Sequence, residues 1–154
     1  MNDEHPTSST PVNSDIPEGF RRLKLGGGYL TANGPLYTRV REGRVQVGFR
    51  VEARHCNPTS VCHGGMLATF ADMFLVTVAH HGVPGERRFL PTISLQVDYL
   101  GAAPLGAWVE GEGEVLRATR NLVFVQGVAR IDGAPVLRAS GTFKQGPLLS
   151  EVMA

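Results

Sequence analysis

The sequence predicts an α+β fold, in which a curved antiparallel sheet of about five to six strands wraps around one long central helix. Three observations carry this. Apolar and polar residues alternate with a period of two on both sides of residues 64–81, where the pattern turns helical. The chain holds 19 Gly and 10 Pro, which supply many tight turns and favour a sheet-rich fold over a helical bundle. A single helix cannot cover so wide a sheet as a separate layer, so the economical packing curls the sheet around it.

The elements follow in order. Gly26-Gly27-Gly28 and Asn33-Gly34-Pro35 are punctuation, and a first strand is expected from Gly34 to Arg41. In the second, Val45, Val47, Phe49 and Val51 alternate with Gln46, Gly48, Arg50 and Glu52. Glu42-Gly43 is the hairpin turn between the two, and Asn57-Pro58 ends the second. From Gly64 to about His81, Met66, Leu67, Phe70, Met73, Phe74, Leu75, Val76 and Val78 surround the helical wheel almost completely, which predicts a helix buried on most sides. Gly82-Val83-Pro84-Gly85 stops it. After Pro91, Ile93, Leu95, Val97 and Tyr99 alternate with Ser94, Gln96 and Asp98. Strands follow over Trp108–Arg117, Leu122–Ile131 and Val136–Lys144, with turns at Ala118–Asn121 and Asp132-Gly133. Successive hairpins make the sheet antiparallel.

The length of 154 residues fits one domain, expected over 16–154, since domains most often run to about 100–150 residues. Residues 1–15 are rich in Ser, Thr, Pro and Asn and read as a disordered tail, without the basic and apolar regions of a signal peptide. Hydrophobic residues at 42% suffice for a core. Fifteen Lys+Arg against 14 Asp+Glu leave a net charge of +1, so the basic excess of a nucleic-acid binder is missing. The two cysteines, Cys56 and Cys62, are too few for a disulfide framework, and a reduced, cytoplasmic protein is expected. The apolar run from Val61 to Ala79 carries Asp72 near its middle. A charge at the centre of a membrane span costs roughly 2.5–3.5 kcal/mol, so a buried helix is the better reading and no membrane is expected as a partner.

The chemistry concentrates in residues 57–72, where a turn with two glycines opens the helix. The first turn of a helix has unpaired N–H groups and a partial positive charge, which suits a carbonyl or oxyanion. Gly64 and Gly65 would let a ligand approach that backbone closely. The same glycines also suit tight helix–sheet packing, and both readings stand at this point. Asp72 is the only acid between Arg54 and Glu86, set mid-helix among apolar residues. A desolvated carboxylate there is either paired structurally or kept as a nucleophile or general base. Gly65 and Asp72 share a helix face but stand about 10 Å apart along the axis. A carbonyl donor and an attacking group must both lie about 3 Å from one reacting centre. A symmetric dimer meets this requirement if the glycine end of one helix faces Asp72 of the other protomer.

The stretch from Asn57 to Asp72, with His63-Gly64-Gly65 and Asp72 nine residues after the histidine, resembles the hotdog-fold acyl-CoA thioesterases of the phenylacetate-degradation (PaaI) type. The similarity spans roughly Gly34 to Lys144 and includes the element order, a sheet wrapped around a long helix. It implies an acyl-CoA substrate, no cofactor or metal, and homodimers or homotetramers built as dimers of dimers. It also implies that the Gly64 N–H polarises the thioester carbonyl while Gly65 keeps the helix entrance open. Asn57 would orient the thioester, Asp72 would be the acidic nucleophile or general base, and Thr92 would position water. Thr92 stands where some relatives carry Ser. His63 matches the motif histidine, with a mainly structural role.

Other readings compete for the same residues. Cys62-His63 could be a nucleophile pair, although neighbouring side chains diverge. His55, Cys56, Cys62 and His63 could bind zinc, but without a familiar ligand spacing. His80-His81 is expected to cap the helix C-terminus, and Trp108 to be packing. Arg87 and Arg88 are candidates for the CoA phosphates, as are Arg117 and Arg120 on weaker grounds. A hotdog hydratase would place a histidine elsewhere, and an acyl-CoA sensor would bring a regulatory domain.

Overall fold

The computed structural model describes residues 15–24 and 26–154. The expected tail lies outside the described residues except for Asp15, whose carbonyl accepts a hydrogen bond from Arg50. The elements are β1 (Arg21–Arg22), α1 (Gly28–Asn33), β2 (Tyr37–Arg41), β3 (Arg44–Arg50), α2 (Gly64–Gly82), β4 (Thr92–Tyr99), β5 (Trp108–Ala118), β6 (Leu122–Ile131), β7 (Ala134–Lys144) and α3 (Leu149–Val152). Among the described residues the strands form one antiparallel, seven-stranded sheet in the order β1-β2-β3-β5-β6-β7-β4. The strand beyond the expected number is β1, whose two residues are too few to show a period.

The predicted turns do what their residues favour. Glu42-Gly43 and Asp132-Gly133 have φ of 52° and 74°, and 49° and 81°. Two successive left-handed residues match the twist of the strands they join. Between β5 and β6, the Thr119 hydroxyl accepts from the N–H groups of Asn121 and Leu122.

The helix α2 lies on the inner face of the sheet, and only one of its faces is buried, where the helical wheel predicts burial on most sides. Met66, Leu67, Phe70, Ala71, Phe74, Leu75, Val78 and Ala79 are buried. Ala68, Thr69, Asp72, Met73, Val76 and Thr77 are half-exposed, because one sheet covers one face. Phe74 anchors the buried face. A β-carbon at Gly111 would lie 2.9 Å from its ring, and one at Gly127 would lie 2.5 Å from it. Phe49, Phe70 and Phe74 continue the contact with ring centroids 4.8 and 5.3 Å apart.

Two further expectations change. A bulge between Thr92 and Ser94 breaks the alternation of β4. Ile93 is therefore left 57% exposed, while Thr92 and Leu95 line the same groove. The histidines His80 and His81 do not cap α2: their Nε2 atoms bond the Arg88 and Gly43 carbonyls, in neighbouring loops. Trp108 packs as expected, with its ring against Phe20 and Tyr37. No helix among the described residues is long and apolar enough to cross a membrane.

The hollow under Phe74 gives a stability prediction. Gly127→Ala would also bring a methyl 2.6 Å from the Glu112 carbonyl oxygen, so it should destabilise by about 1–3 kcal/mol or more. Phe74→Ala should cost about 3–5 kcal/mol. Urea unfolding of both variants measures these losses.

Candidate active site

The approach to α2 is a tightly bonded loop. His55, 3% exposed, accepts the Glu52 N–H on Nδ1 at 3.0 Å, and its Nε2–H donates to the Asn33 carbonyl at 2.8 Å. Burial, and secondarily the nearby Arg54 charge, hold its pKa below the ordinary 6.5. The Asn57 side-chain Oδ1 accepts from the Thr59 N–H and hydroxyl at 3.0 and 2.7 Å, and from the Val61 N–H at 3.3 Å. Its Nδ2 makes no hydrogen bond among the described residues, so that amide group is the part of Asn57 open to a ligand.

At the helix entrance, His63 is the N-cap, and its Nδ1 accepts the Gly65 N–H at 2.8 Å. The N–H groups of Met66 and Leu67 donate to the His63 carbonyl. The Gly64 carbonyl accepts the Tyr99 hydroxyl at 2.7 Å. Among the described residues the Gly64 N–H has no acceptor. Of the donors in this first turn it is the one left for a ligand, and Gly65 is not a second one.

Asp72 sits two turns further along, on the half-exposed face. The sequence suggests a desolvated carboxylate, but α2 turns this face away from the sheet. Its Oδ1 accepts the Thr92 hydroxyl at 2.7 Å, and Oδ2 has no hydrogen-bond donor among the described residues. The bulge in β4 is what turns Thr92 toward it. Both residues line a groove of about 570 Å³ between α2, β4 and the segment around α1. Ala68, Met73, Leu95 and Leu30 make most of that groove apolar, and Gly65 lies at one end.

The far wall, Tyr29 and Leu30, is a part of the site that sequence reasoning missed. A tyrosine in a six-residue helix, forty positions from its contact, carries no local signal. The Thr69 hydroxyl donates its only proton to the Gly65 carbonyl at 3.0 Å. In the 2.8 Å contact between Tyr29 and Thr69, tyrosine is therefore the donor.

The remaining candidates separate from the groove. Arg88 donates to the Gly146 carbonyl at 3.1 Å, and the backbone of 87–89 runs beside 146–149, so neither Arg87 nor Arg88 lines the groove. Cys62 is buried, and burial, with Cys56 beside it, pushes its thiol up to about 12, which leaves it protonated at neutral pH and unsuited to attack. His55 and His63 each spend Nδ1 on a backbone N–H, and among the described residues no group of three or more His, Cys, Asp or Glu could hold a metal ion.

A family model described as the thioesterase superfamily matches residues 59–136, from the loop ahead of α2 into β7. The chain belongs to the thioesterase superfamily. It is accordingly a thioester hydrolase. A relative named "Putative esterase PA0474", from Pseudomonas aeruginosa, is 30% identical over 131 residues, covering 84% of this chain and 96% of that protein. A mutant of the phenylacetic acid degradation protein PaaI from Thermus thermophilus shares the fold with a TM-score of 0.64 at 23% identity, over 76% of this chain and 97% of that one. A hypothetical thioesterase protein with coenzyme A from Streptococcus pneumoniae aligns with a TM-score of 0.63 at 22% identity, over 73% and 90% of the two chains. The thioesterase fold is therefore the hotdog arrangement that the element order predicted.

The buried imidazole at the helix approach should lower the stability of the fold in acid. A histidine whose folded pKa lies below its unfolded value stabilises the fold fully above the unfolded value, and that contribution is lost as pH falls from about 6.5 through the folded value. Unfolding free energy measured by denaturant should fall as pH is lowered below 6.5. His55→Gln, though less stable throughout, should show a shallower slope.

Proposed function

We propose that this thioesterase hydrolyses acyl-CoA with Asp72 of one protomer and the Gly64 N–H of its partner acting on the same carbonyl. The observation that carries this reading is the Thr92–Asp72 pair on the wall of an apolar groove, at 2.7 Å. One carboxylate oxygen is fixed by the hydroxyl and the other is free to take a proton. The Thr92 oxygen, its proton committed to Asp72, retains lone pairs that can accept from a water beside the carboxylate. This favours the general-base route over direct attack by Asp72.

On that route, Asp72 removes a proton from water as the water oxygen bonds to the thioester carbon. The carbonyl electron pair moves onto its oxygen, which the Gly64 N–H and the helix N-terminus stabilise. Collapse breaks the carbon–sulfur bond, and the proton held by Asp72 passes to the CoA sulfur. The products are the free acid and CoA. Asn57 Nδ2 would orient the thioester, Gly65 and the His63 cap keep the helix entrance in shape, and the groove takes an apolar acyl group. Arg87 and Arg88 are proposed for the CoA phosphates from outside the groove. The coenzyme A in the Streptococcus pneumoniae structure and the esterase name of the Pseudomonas aeruginosa relative support this substrate class.

The shared site follows from distance. Gly64 and Asp72 are about 12 Å apart along α2, too far to act on one carbonyl. The edge strand β4 offers a two-fold contact, since one side of it is unpaired among the described residues. Ile93 and Tyr99 on it, and Phe89 beside it, are 57%, 53% and 47% exposed. A homodimer through this edge would bring the two helices together; dimers of dimers would keep the same sites.

Two experiments test the reading. Asp72→Asn keeps an acceptor for Thr92 and should stay folded while turnover of a panel of short, medium, long and aryl acyl-CoAs falls at least about a hundredfold. In the native enzyme, the first turnover in H₂¹⁸O should place ¹⁸O in the product acid; unlabelled acid would make Asp72 the nucleophile. For the shared site, an Asp72→Asn protomer is mixed with a Gly64→Ala protomer, each inactive alone. Verified exchange should restore part of the activity, through one intact site per heterodimer. Exchange without recovery would mean that each site is built within one protomer.

A further inference from the structure

We infer that Tyr99 is a positioning residue: it holds the Gly64–Gly65 peptide so that the neighbouring Gly64 N–H is fixed where the thioester carbonyl arrives. This rests on the assignment of Gly64 as the carbonyl donor. Two consecutive glycines give the start of α2 more backbone freedom than any other pair of residues would. A helix start also lacks the internal bonds that fix later turns. An oxyanion donor is effective only if it is already aimed before the reaction begins. The glycines that open the entrance therefore also loosen it, and something outside the helix must restore its order.

The structure supplies that restraint at both ends of one peptide unit. The Gly64 carbonyl accepts the Tyr99 hydroxyl at 2.7 Å, and the N–H of the same unit, carried by Gly65, donates to His63 Nδ1 at 2.8 Å. Rotation of this plane would break both bonds. The Tyr99 ring also lies beneath the glycine: a β-carbon on Gly64 would sit 3.3 Å from Cζ and 3.4 Å from the hydroxyl oxygen. Tyr99 is thus bound to the carbonyl and packed against the α-carbon of the residue whose N–H is free. Tyr99 as a whole is 53% exposed, so it contributes little to the core. The hydroxyl does not point at the Asp72 groove, and Tyr99 is absent from its lining.

Tyr99→Phe keeps the ring and removes the hydroxyl. The expected result is a fall in kcat of about three- to tenfold, the range that one hydrogen bond supports, with KM nearly unchanged and Tm within a few degrees of the parent. Infrared spectroscopy separates aim from general damage. The best acyl-CoA of the panel, made with a ¹³C carbonyl, is bound to the slow Asp72→Asn enzyme, and its carbonyl stretch is compared with that in water. The stretch should shift to lower frequency, and adding Tyr99→Phe should shrink the shift and broaden the band. A full shift that Tyr99→Phe leaves unchanged, or a variant with the parent kcat, overturns the role of Tyr99 and leaves Gly64 standing. No shift even with Tyr99 present refutes Gly64 as the donor, and the positioning role falls with it.

Discussion

The seating of Phe74 in the sheet is the contact on which the rest of the molecule depends. Strands β5 and β6 carry glycine at positions 111 and 127, directly under the ring, and side chains there would lift α2 off the sheet. With the helix seated, its phase is fixed. Met66, Leu67, Phe70, Phe74, Leu75 and Val78 turn inward on one stripe, and Asp72 and Thr69 are left on the other. The polar residues of α2 face a groove because a neighbouring stripe of apolar ones has somewhere to go.

The edge strand β4 then sets what that outward stripe meets. It pairs with β7 on one side and runs past the helix from Asp72 to Gly64, touching the first through Thr92 and the second through Tyr99. The Asp72 carboxylate oxygen and the peptide plane that follows the Gly64 N–H are thus both referenced to one strand. If two copies join along that strand, the positions of both halves of each site are set by the same seam.

Much of this was legible in the sequence. Long elements with a sustained period, such as β3, α2 and β6, lie close to where alternation or the helical wheel put them. The turns at Glu42-Gly43 and Asp132-Gly133 announce themselves through residues that tolerate left-handed backbone. The Thr92–Asp72 contact was within reach only through family resemblance, because a bulge reverses the face of Thr92 and strict alternation would have pointed it outward. Helix burial was overestimated because apolar residues such as Ala68, Met73 and Val76 read alike whether they face a core or a groove. The Tyr29 and Tyr99 hydroxyls lie outside any spacing rule, since their partners are fixed by the tertiary fold.

Three successive backbone carbonyls end α1: those of Ala32, Asn33 and Gly34. Arg54 takes the first and third and His55 takes the second, so a guanidinium and an imidazole from the approach to α2 grip the end of the short helix that walls the groove. The wall is consequently not an independent flap that evolution can reshape at will. It is riveted to the same short turn from which Asn57, His63 and the glycine pair are hung. A lineage that altered the wall would inherit a constraint at the rivet: either Arg54 and His55 stay and only the groove-lining side chains Tyr29 and Leu30 change, or the joint is rebuilt and the start of α2 shifts with it. Under the proposed function, substrate breadth and catalytic aim would be geared together through Arg54 and His55, neither of which lines the groove.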